Sequence, residues 1–156
     1  WGLQSAIVNI DDDFGKRIVN ECSADRVITY GKSGDLSWHG EYSSTGMRVE
    51  FSFEGKSIGT DLSVHSEFEV ANIAAALAAF LSMGHSIDKL IALLPQLASV
   101  PGRMQKIPGP EGCPTVILDY AHTPDALERV LRACRHHCDG RLICLIGCGG
   151  GRDMGK

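Results

Sequence analysis

The amino-terminal third of the chain alternates short apolar runs with polar breaks, a pattern typical of β-strands, turns and one helix. The predicted elements are strands at residues 5–10 and 27–30 and a helix at residues 14–22. Asp13 suits a helix cap, and we expect Phe14, Ile18 and Val19 to face the core, because they recur at helical spacing. The three aspartates that begin at Asp11 could bind a cation, but a solvated helix start is favoured.

Two alternating stretches around a short turn predict a β-hairpin. They cover residues 36–44 and 47–53 and meet at Thr45 and Gly46. In the second stretch every other residue is large and apolar, so these side chains share one face: Val49, Phe51 and Phe53.

The next segment is rich in alanine and leucine and predicts a buried helix over residues 69–83, ended by Gly84. Ser86 predicts the start of another helix over residues 87–94. Close packing of the helix is enough to explain its many alanines, so they do not indicate a functional site. Asn72 is the exception, because an amide both donates and accepts, as an adenine edge requires. A cap or surface role is the alternative for Asn72.

The carboxyl-terminal part predicts a strand, a helix and a second strand, which together make a βαβ unit of an α/β fold. Residues 115–118 and 142–146 are the two apolar runs, and both suit buried parallel strands. Between them, Thr123 and Pro124 fit a helix start. The apolar stripe of the predicted helix consists of Leu127, Val130 and Leu131.

Asp119 directly follows the first of these strands, at the end where open α/β sheets bind ligands. The segment DYAHTPDAL, Asp119–Leu127, therefore predicts a turn that holds a nucleotide. Two alternatives involve no ligand. Asp119 could cap the helix start, and His122 could be an exposed loop imidazole.

The last seven residues, Gly150–Lys156, match the glycine and lysine spacing of a phosphate-binding P-loop. Arg152 and Asp153 in its interior, and the lack of a visible following helix, argue against that interpretation. The six cysteines include no Cys-x-x-Cys pair, so free thiols are favoured over a zinc site. We expect Cys144 inside a strand and Cys134 on a helix.

The composition is that expected of an interior piece of a soluble protein: 44% hydrophobic residues, 22% charged residues and a net charge of -4. We expect no membrane partner, since no apolar run is long enough to span a bilayer. We expect no nucleic-acid partner, since the basic residues are scattered and aromatic residues make up 6%. The absence of a signal peptide and the cysteine pattern favour the cytoplasm.

Three motifs resemble the Mur ligase family, and most closely its UDP-N-acetylmuramoyl-tripeptide synthetase branch (MurE type). They are VPGRM at 100–104, DYAHTPDAL at 119–127 and GCGGGRDMGK at 147–156. A fourth segment, HSEFEVANIAAALAAF at 65–80, is similar to the family's nucleotide-site helix. Glu67 and Glu69 stand where the family has a glycine and a first asparagine, so only Asn72 is carried over.

The resemblance implies that the chain is a fragment spanning two domains. Residues 1–102 would be the end of a P-loop-type central ATP-binding domain with a small antiparallel β element. Residues 103–156 would begin the Rossmann-like carboxyl-terminal domain that binds the amino acid, starting with its first βαβ unit. The family's substrate-binding domain, its P-loop and the lysine it carbamylates to hold magnesium are not in this sequence. The fragment is therefore expected to be inactive by itself.

The resemblance also implies the roles of individual residues. Arg103 would neutralise charge on the transferred phosphoryl group and would thus be both catalytic and ATP-binding. Asn72, Asp119 and His122 would contact ATP, the last two through the ribose hydroxyls. Arg152 would bind the carboxylate of the incoming amino acid. No residue of the chain is assigned as a metal ligand.

The implied reaction is ATP-dependent amide formation in peptidoglycan synthesis, through an acyl phosphate, with ATP and Mg²⁺ as cofactors. The implied substrates are a UDP-N-acetylmuramoyl-dipeptide and a diamino acid, either meso-diaminopimelate or lysine. Two alternatives remain: a folylpolyglutamate or cyanophycin synthetase-type ligase, and a non-catalytic Mur-ligase-like scaffold. Because strand edges would lie open in a fragment, we also expect it to self-associate.

Overall fold

The computed structural model describes residues 2–43 and 45–147. The strands among them are β1 (Ser5–Asn9), β2 (Arg26–Tyr30), β3 (Leu36–Ser43), β4 (Gly46–Phe53), β5 (Lys56–Leu62), β6 (Gln105–Ile107) and β7 (Val116–Leu118). The helices are α1 (Asp13–Glu21), α2 (Glu67–Ser82), α3 (Ile87–Leu93) and α4 (Pro124–His136), with a 3-10 turn at Leu94–Gln96. No helix in this described part is long and apolar enough to cross a membrane.

The described residues form two compact units. The first contains the residues up to Ser63 together with Glu67–Leu97, and the second contains Val64–Ser66 together with the residues from Ala98 onward. The mixture of helices with parallel and antiparallel strands confirms the predicted α/β class. The proposed domain boundary between Gly102 and Arg103 stays a prediction.

The first unit is built on one five-stranded sheet whose strands are neighbours in chain order, β1 to β5. β1 and β2 are parallel, with Ser5 opposite Arg26, whereas β3, β4 and β5 form an antiparallel meander. The predicted hairpin is confirmed, since Ser43 pairs with Gly46 at its tip. Its predicted inward side chains are all buried: Val49, Phe51 and Phe53.

Helix α2 covers the inner face of this sheet, packing on β1, β2 and β3. Its buried side chains are Val70, Ala74, Leu77, Ala78 and Leu81, which confirms the predicted buried helix. The helix ends as expected at Gly84, whose φ of +87° is the left-handed conformation that glycine adopts without strain. Ser86 precedes α3, but its hydroxyl donates to the Asp88 carboxylate at 3.2 Å and caps no backbone amide.

The predicted packing of α1 is wrong for two of its three side chains. Phe14 is 68% exposed and Ile18 is 42% exposed, whereas Gly15 is the buried residue of this helix. A Cβ at Gly15 would overlap the carbonyl oxygen of Asn9, at the end of β1. The helix backbone therefore contacts the strand backbone directly at Gly15. This close contact leaves the larger side chains of α1 exposed to solvent. The cap is Asp12, whose carboxylate accepts from Gly15 N at 2.7 Å, and not Asp13.

Gly15→Ala is therefore expected to lower the free energy of unfolding by about 1 to 3 kcal/mol, because the added methyl group must displace backbone. The matched control is Phe14→Ala, which removes an exposed ring and should change stability by no more than about 0.5 kcal/mol. Urea titrations followed by circular dichroism measure both. A Phe14→Ala loss as large as that of Gly15→Ala would contradict this account of α1.

The second unit contains β6, β7 and α4. β7 pairs antiparallel with β6, with Gln105 opposite Leu118, and its Val116 and Leu118 are more than half exposed. The expectation of a buried parallel β7 is therefore wrong. β6 and β7 are consecutive strands, and an antiparallel pair needs only a local loop, whereas a parallel pair needs a long crossover.

The second strand of the predicted βαβ unit is not formed. Residues 141–147 have no regular secondary structure, so Cys144 is not in a strand, and Leu145 is 99% exposed. β7 has only three residues, and so short a strand offers a parallel partner few backbone groups to pair with. The helix between the two runs is confirmed, with Leu127, Val130 and Leu131 half-buried on one side.

Candidate functional site

Asp119 lies at the end of β7 and uses both carboxylate oxygens. Oδ1 accepts from the Ala121 backbone N at 2.7 Å, and Oδ2 accepts from the Met104 backbone N at 2.9 Å. The side chain thus ties the turn after β7 to the turn before β6. It does not cap α4, because that role belongs to Thr123, whose hydroxyl accepts from Ala126 N at 3.3 Å.

The turn before β6 has an unusual backbone. Gly102 has a φ of +69° and Met104 a φ of +44°, a region that residues with a Cβ seldom adopt. Met104 is also 2% exposed, so burial of its side chain and the bond to Asp119 hold it in this conformation together. Arg103, between these two residues, is exposed to solvent.

Tyr120 contacts two of the predicted site residues. The Arg103 guanidinium carbon lies 5.3 Å from the centre of the Tyr120 ring, within the range of a cation–π contact. The Tyr120 and His122 ring centroids are 4.9 Å apart, at an interplanar angle of 59°. Sequence reasoning missed Tyr120. Its signal was a large aromatic residue between two ligand-type side chains in a polar turn.

One ring nitrogen of His122 makes a hydrogen bond within the turn, and the other can bind a ligand. Its Nδ1 lies 3.0 Å from the Tyr120 carbonyl oxygen, which can only accept, so Nδ1 is the protonated nitrogen of this pair. In the neutral imidazole, Nε2 is then a free acceptor on an exposed ring.

A shallow pocket of about 30 Å³ lies beside this turn, lined by residues that include His122, Thr123, Leu127 and Ile146. That volume suits a water molecule or two, and not a nucleoside. A nucleotide contacting these groups would therefore lie across the surface that Arg103, Tyr120 and His122 form.

The structure describes four of the five predicted site residues, and they fall in two groups. Arg103, Asp119 and His122 come together in the second unit. Asn72 belongs to the first unit, in the second turn of α2, where its side chain is exposed. Arg152, like the P-loop-like segment Gly150–Lys156, lies outside the described residues.

Two family models match this chain and together cover most of it. Residues 2–80 match the Mur ligase middle domain, and residues 102–156 match the Mur ligase glutamate ligase domain. The chain belongs to the Mur ligase family.

Curated relatives of this Mur ligase chain include two UDP-N-acetylmuramoyl-L-alanyl-D-glutamate–2,6-diaminopimelate ligases. The Pseudomonas syringae pv. tomato protein is 37% identical over 99% of this chain, and the Thermosynechococcus vestitus protein is 41% identical over 97%. The chain spans about a third of their length, 32% and 31% respectively.

Solved structures agree with this assignment. A structure of a UDP-N-acetylmuramoyl-L-alanyl-D-glutamate–2,6-diaminopimelate ligase has a TM-score of 0.69 at 31% identity, covering 97% of this chain and 32% of that one. The Thermotoga maritima MurF ligase in complex with ADP has a TM-score of 0.69 at 25% identity, covering 83% and 30%. A Mycobacterium tuberculosis folylpolyglutamate synthase, at 20% identity, TM-score 0.71 and coverages of 86% and 31%, shares the fold.

The described cysteines are all free thiols. Cys134 is buried on α4, and burial raises the pKa of its thiol, with the Asp119 carboxylate as the next cause. Cys22, Cys113, Cys138 and Cys144 are also free thiols. Within residues 2–43 and 45–147, no three His, Cys, Asp or Glu side chains are grouped so that they could hold a metal ion.

Two histidines of this Mur ligase chain meet in the second unit. His137 Nε2 lies 3.0 Å from the His65 carbonyl oxygen, and the two rings make an edge-to-face contact at 5.1 Å between centroids. Burial lowers the pKa of His65, and His137 and Lys106 lower it further, because a second positive charge there would be repelled.

This lowered pKa predicts a pH dependence of stability. The unfolded chain takes up a proton at His65 near its ordinary pKa of about 6.5, and the folded chain does so only at lower pH. His65 should therefore destabilise the fold as pH falls below about 6.5, and contribute nothing to the pH slope well above it. Urea unfolding from pH 8 to pH 5 should show a shallower acid-side loss in His65→Gln than in wild type. Equal slopes would contradict the prediction.

Proposed function

We propose that this chain is part of an ATP-dependent amide ligase of peptidoglycan synthesis. The full-length protein would add a diamino acid to UDP-N-acetylmuramoyl-L-alanyl-D-glutamate in the cytoplasm. The observation that carries the proposal is the grouping of Arg103, Asp119 and His122 around one turn in a Mur ligase chain. The names of its curated relatives support the choice of substrate.

The grouped side chains have the chemistry that a nucleotide requires. Arg103 presents a solvent-facing guanidinium, a fork of N–H donors suited to phosphate oxygens. Asp119 accepts two backbone bonds, and a carboxylate has about four acceptor positions, so two remain for ribose hydroxyls. His122 Nε2 can accept from a neighbouring hydroxyl. Asn72 would recognise the adenine edge from α2.

The reaction would proceed in two steps, phosphoryl transfer and amide formation. A terminal carboxylate oxygen of the UDP-linked dipeptide attacks the γ-phosphorus of ATP, forming an acyl phosphate and releasing ADP. The uncharged amino group of the diamino acid then attacks the acyl carbon, and the new amide forms as inorganic phosphate leaves and the nitrogen loses a proton to solvent. Arg103 would stabilise the charge on the transferred phosphoryl group in the first step. Arg152 would hold the carboxylate of the diamino acid in the second.

Magnesium is the cofactor expected with ATP. Among the described residues, no three His, Cys, Asp or Glu side chains are grouped so that they could hold a metal ion by themselves. We assign no magnesium ligand among these residues. Residues 1–102 and 103–156 are proposed as parts of the ATP-binding and amino-acid-binding domains.

The test is an assay of the purified full-length protein with ATP, UDP-N-acetylmuramoyl-L-alanyl-D-glutamate and either meso-diaminopimelate or lysine. We expect phosphate release that depends on the dipeptide, and an amide product by mass spectrometry with one of the diamino acids. Folate with glutamate is the parallel arm for a folylpolyglutamate synthetase. The 156-residue chain alone is expected to be inactive. Product from the folate arm only, or from neither arm, would overturn the proposal.

A further inference from the structure

The segment Val64–Ser66 lies between two elements of the first unit, β5 and α2, yet it belongs to the second unit by its contacts. Ser66, at its end, is completely buried. One residue later, α2 begins at Glu67. Whatever fixes this segment therefore also fixes the point at which the chain enters the helix that bears Asn72.

His137 makes a direct contact with this segment. Its Nε2 lies 3.0 Å from the His65 carbonyl oxygen, and its ring meets the His65 ring edge-to-face. A carbonyl oxygen can only accept, so His137 is the donor, through an Nε2–H.

The end of α4 that bears His137 is itself firmly held. The His137 backbone N donates to the Cys134 carbonyl at 3.1 Å. The Arg135 guanidinium donates to the carbonyl oxygens of Cys138, at 3.2 Å, and Gly140, at 2.8 Å. These bonds hold the residues that follow α4 against the end of the helix. His137 thus projects from an anchored helix terminus toward a segment that has no regular secondary structure.

We propose that His137 is a positioning residue that holds Val64–Ser66 through its Nε2–H and thereby sets the entry to α2. Its consequence for catalysis rests on the proposed function, because it acts through Asn72 on the binding of ATP. His137 itself touches neither substrate nor reacting atoms.

The first arm of the test uses the 156-residue chain and needs no activity. Hydrogen exchange of the amides at residues 64–69 is compared in wild type, His137→Ala, His137→Gln and His39→Ala. The last is the matched control, a histidine whose side chain is 81% exposed in the other unit. One lost hydrogen bond should speed exchange in this segment about 2- to 10-fold in His137→Ala. His137→Gln should restore slow exchange, because its amide offers an N–H at a similar reach, and His39→Ala should match wild type.

The second arm uses the full-length protein. His137→Ala should raise KM for ATP by a similar factor, leave kcat nearly unchanged, and be rescued by His137→Gln. Unchanged exchange at residues 64–69, faster exchange throughout the chain, or failure of glutamine to rescue would each overturn the proposal. A change in exchange with an unchanged KM would overturn its catalytic consequence. A full-length protein without ligase activity, but with the predicted exchange pattern, would refute the proposed function and leave the positioning contact standing.

Discussion

Arg103→Ala in the full-length protein is expected to lower kcat/KM for ATP by about 10- to 100-fold. A charge-assisted hydrogen bond contributes about 1.5 to 3 kcal/mol, and about 1.4 kcal/mol corresponds to a factor of ten. The backbone of the turn should be little disturbed, because the Arg103 side chain faces solvent and contacts the exposed Tyr120 ring. The measurement is steady-state kinetics with ATP varied at saturating dipeptide and diamino acid.

Two further variants make this result specific. Arg103→Lys keeps the charge and loses the fork of donors, so it should recover only part of the activity. Arg152→Ala should raise KM for the diamino acid about tenfold or more and leave ATP affinity nearly unchanged. If Arg152→Ala instead raises KM for ATP, the P-loop interpretation of Gly150–Lys156 gains support over ours.

Asp119→Ala is expected to destabilise the second unit by about 2 to 4 kcal/mol, in addition to weakening ATP binding. The carboxylate accepts from two backbone N–H groups, and its removal leaves both donors without that partner. One of them belongs to Met104, whose backbone has a φ of +44° and needs the bond to stay there. Urea unfolding of the 156-residue chain measures the loss directly.

Asp125→Ala is the matched control for Asp119→Ala. Its carboxylate is 73% exposed and pairs with Arg129 at 2.9 Å, so its removal should cost at most about 1 kcal/mol. Asp119→Asn should fall between the two, since the amide keeps one acceptor and turns an NH₂ toward the other donor. Equal losses in Asp119→Ala and Asp125→Ala would show that the two backbone bonds contribute little.

The sequence by itself determined the elements whose signals are local. The alternation of apolar and polar residues was enough to predict the β3–β4 hairpin and its buried face, because successive side chains of a strand point to opposite faces of the sheet. Alanine-rich composition and Gly84 placed α2 and its end, and Thr123 with Pro124 placed the start of α4. The three Mur ligase motifs, all short, were likewise sufficient to find the family.

Features that depend on how separate elements pack against one another were decided only by the tertiary structure. Gly15 is buried in place of Phe14 because a strand carbonyl approaches the helix backbone, which helical periodicity cannot register. Residues 142–146 are as apolar as a buried strand, yet a strand also needs a neighbour long enough to pair with, and β7 has only three residues. Asp119 and Met104 are distant in sequence, so neither their bond nor the left-handed Met104 could be read from either segment alone. Residue type and spacing thus specified the local elements. The packing of these elements against one another determined which side chains are buried, which strands pair and which side-chain atoms can still bind a ligand.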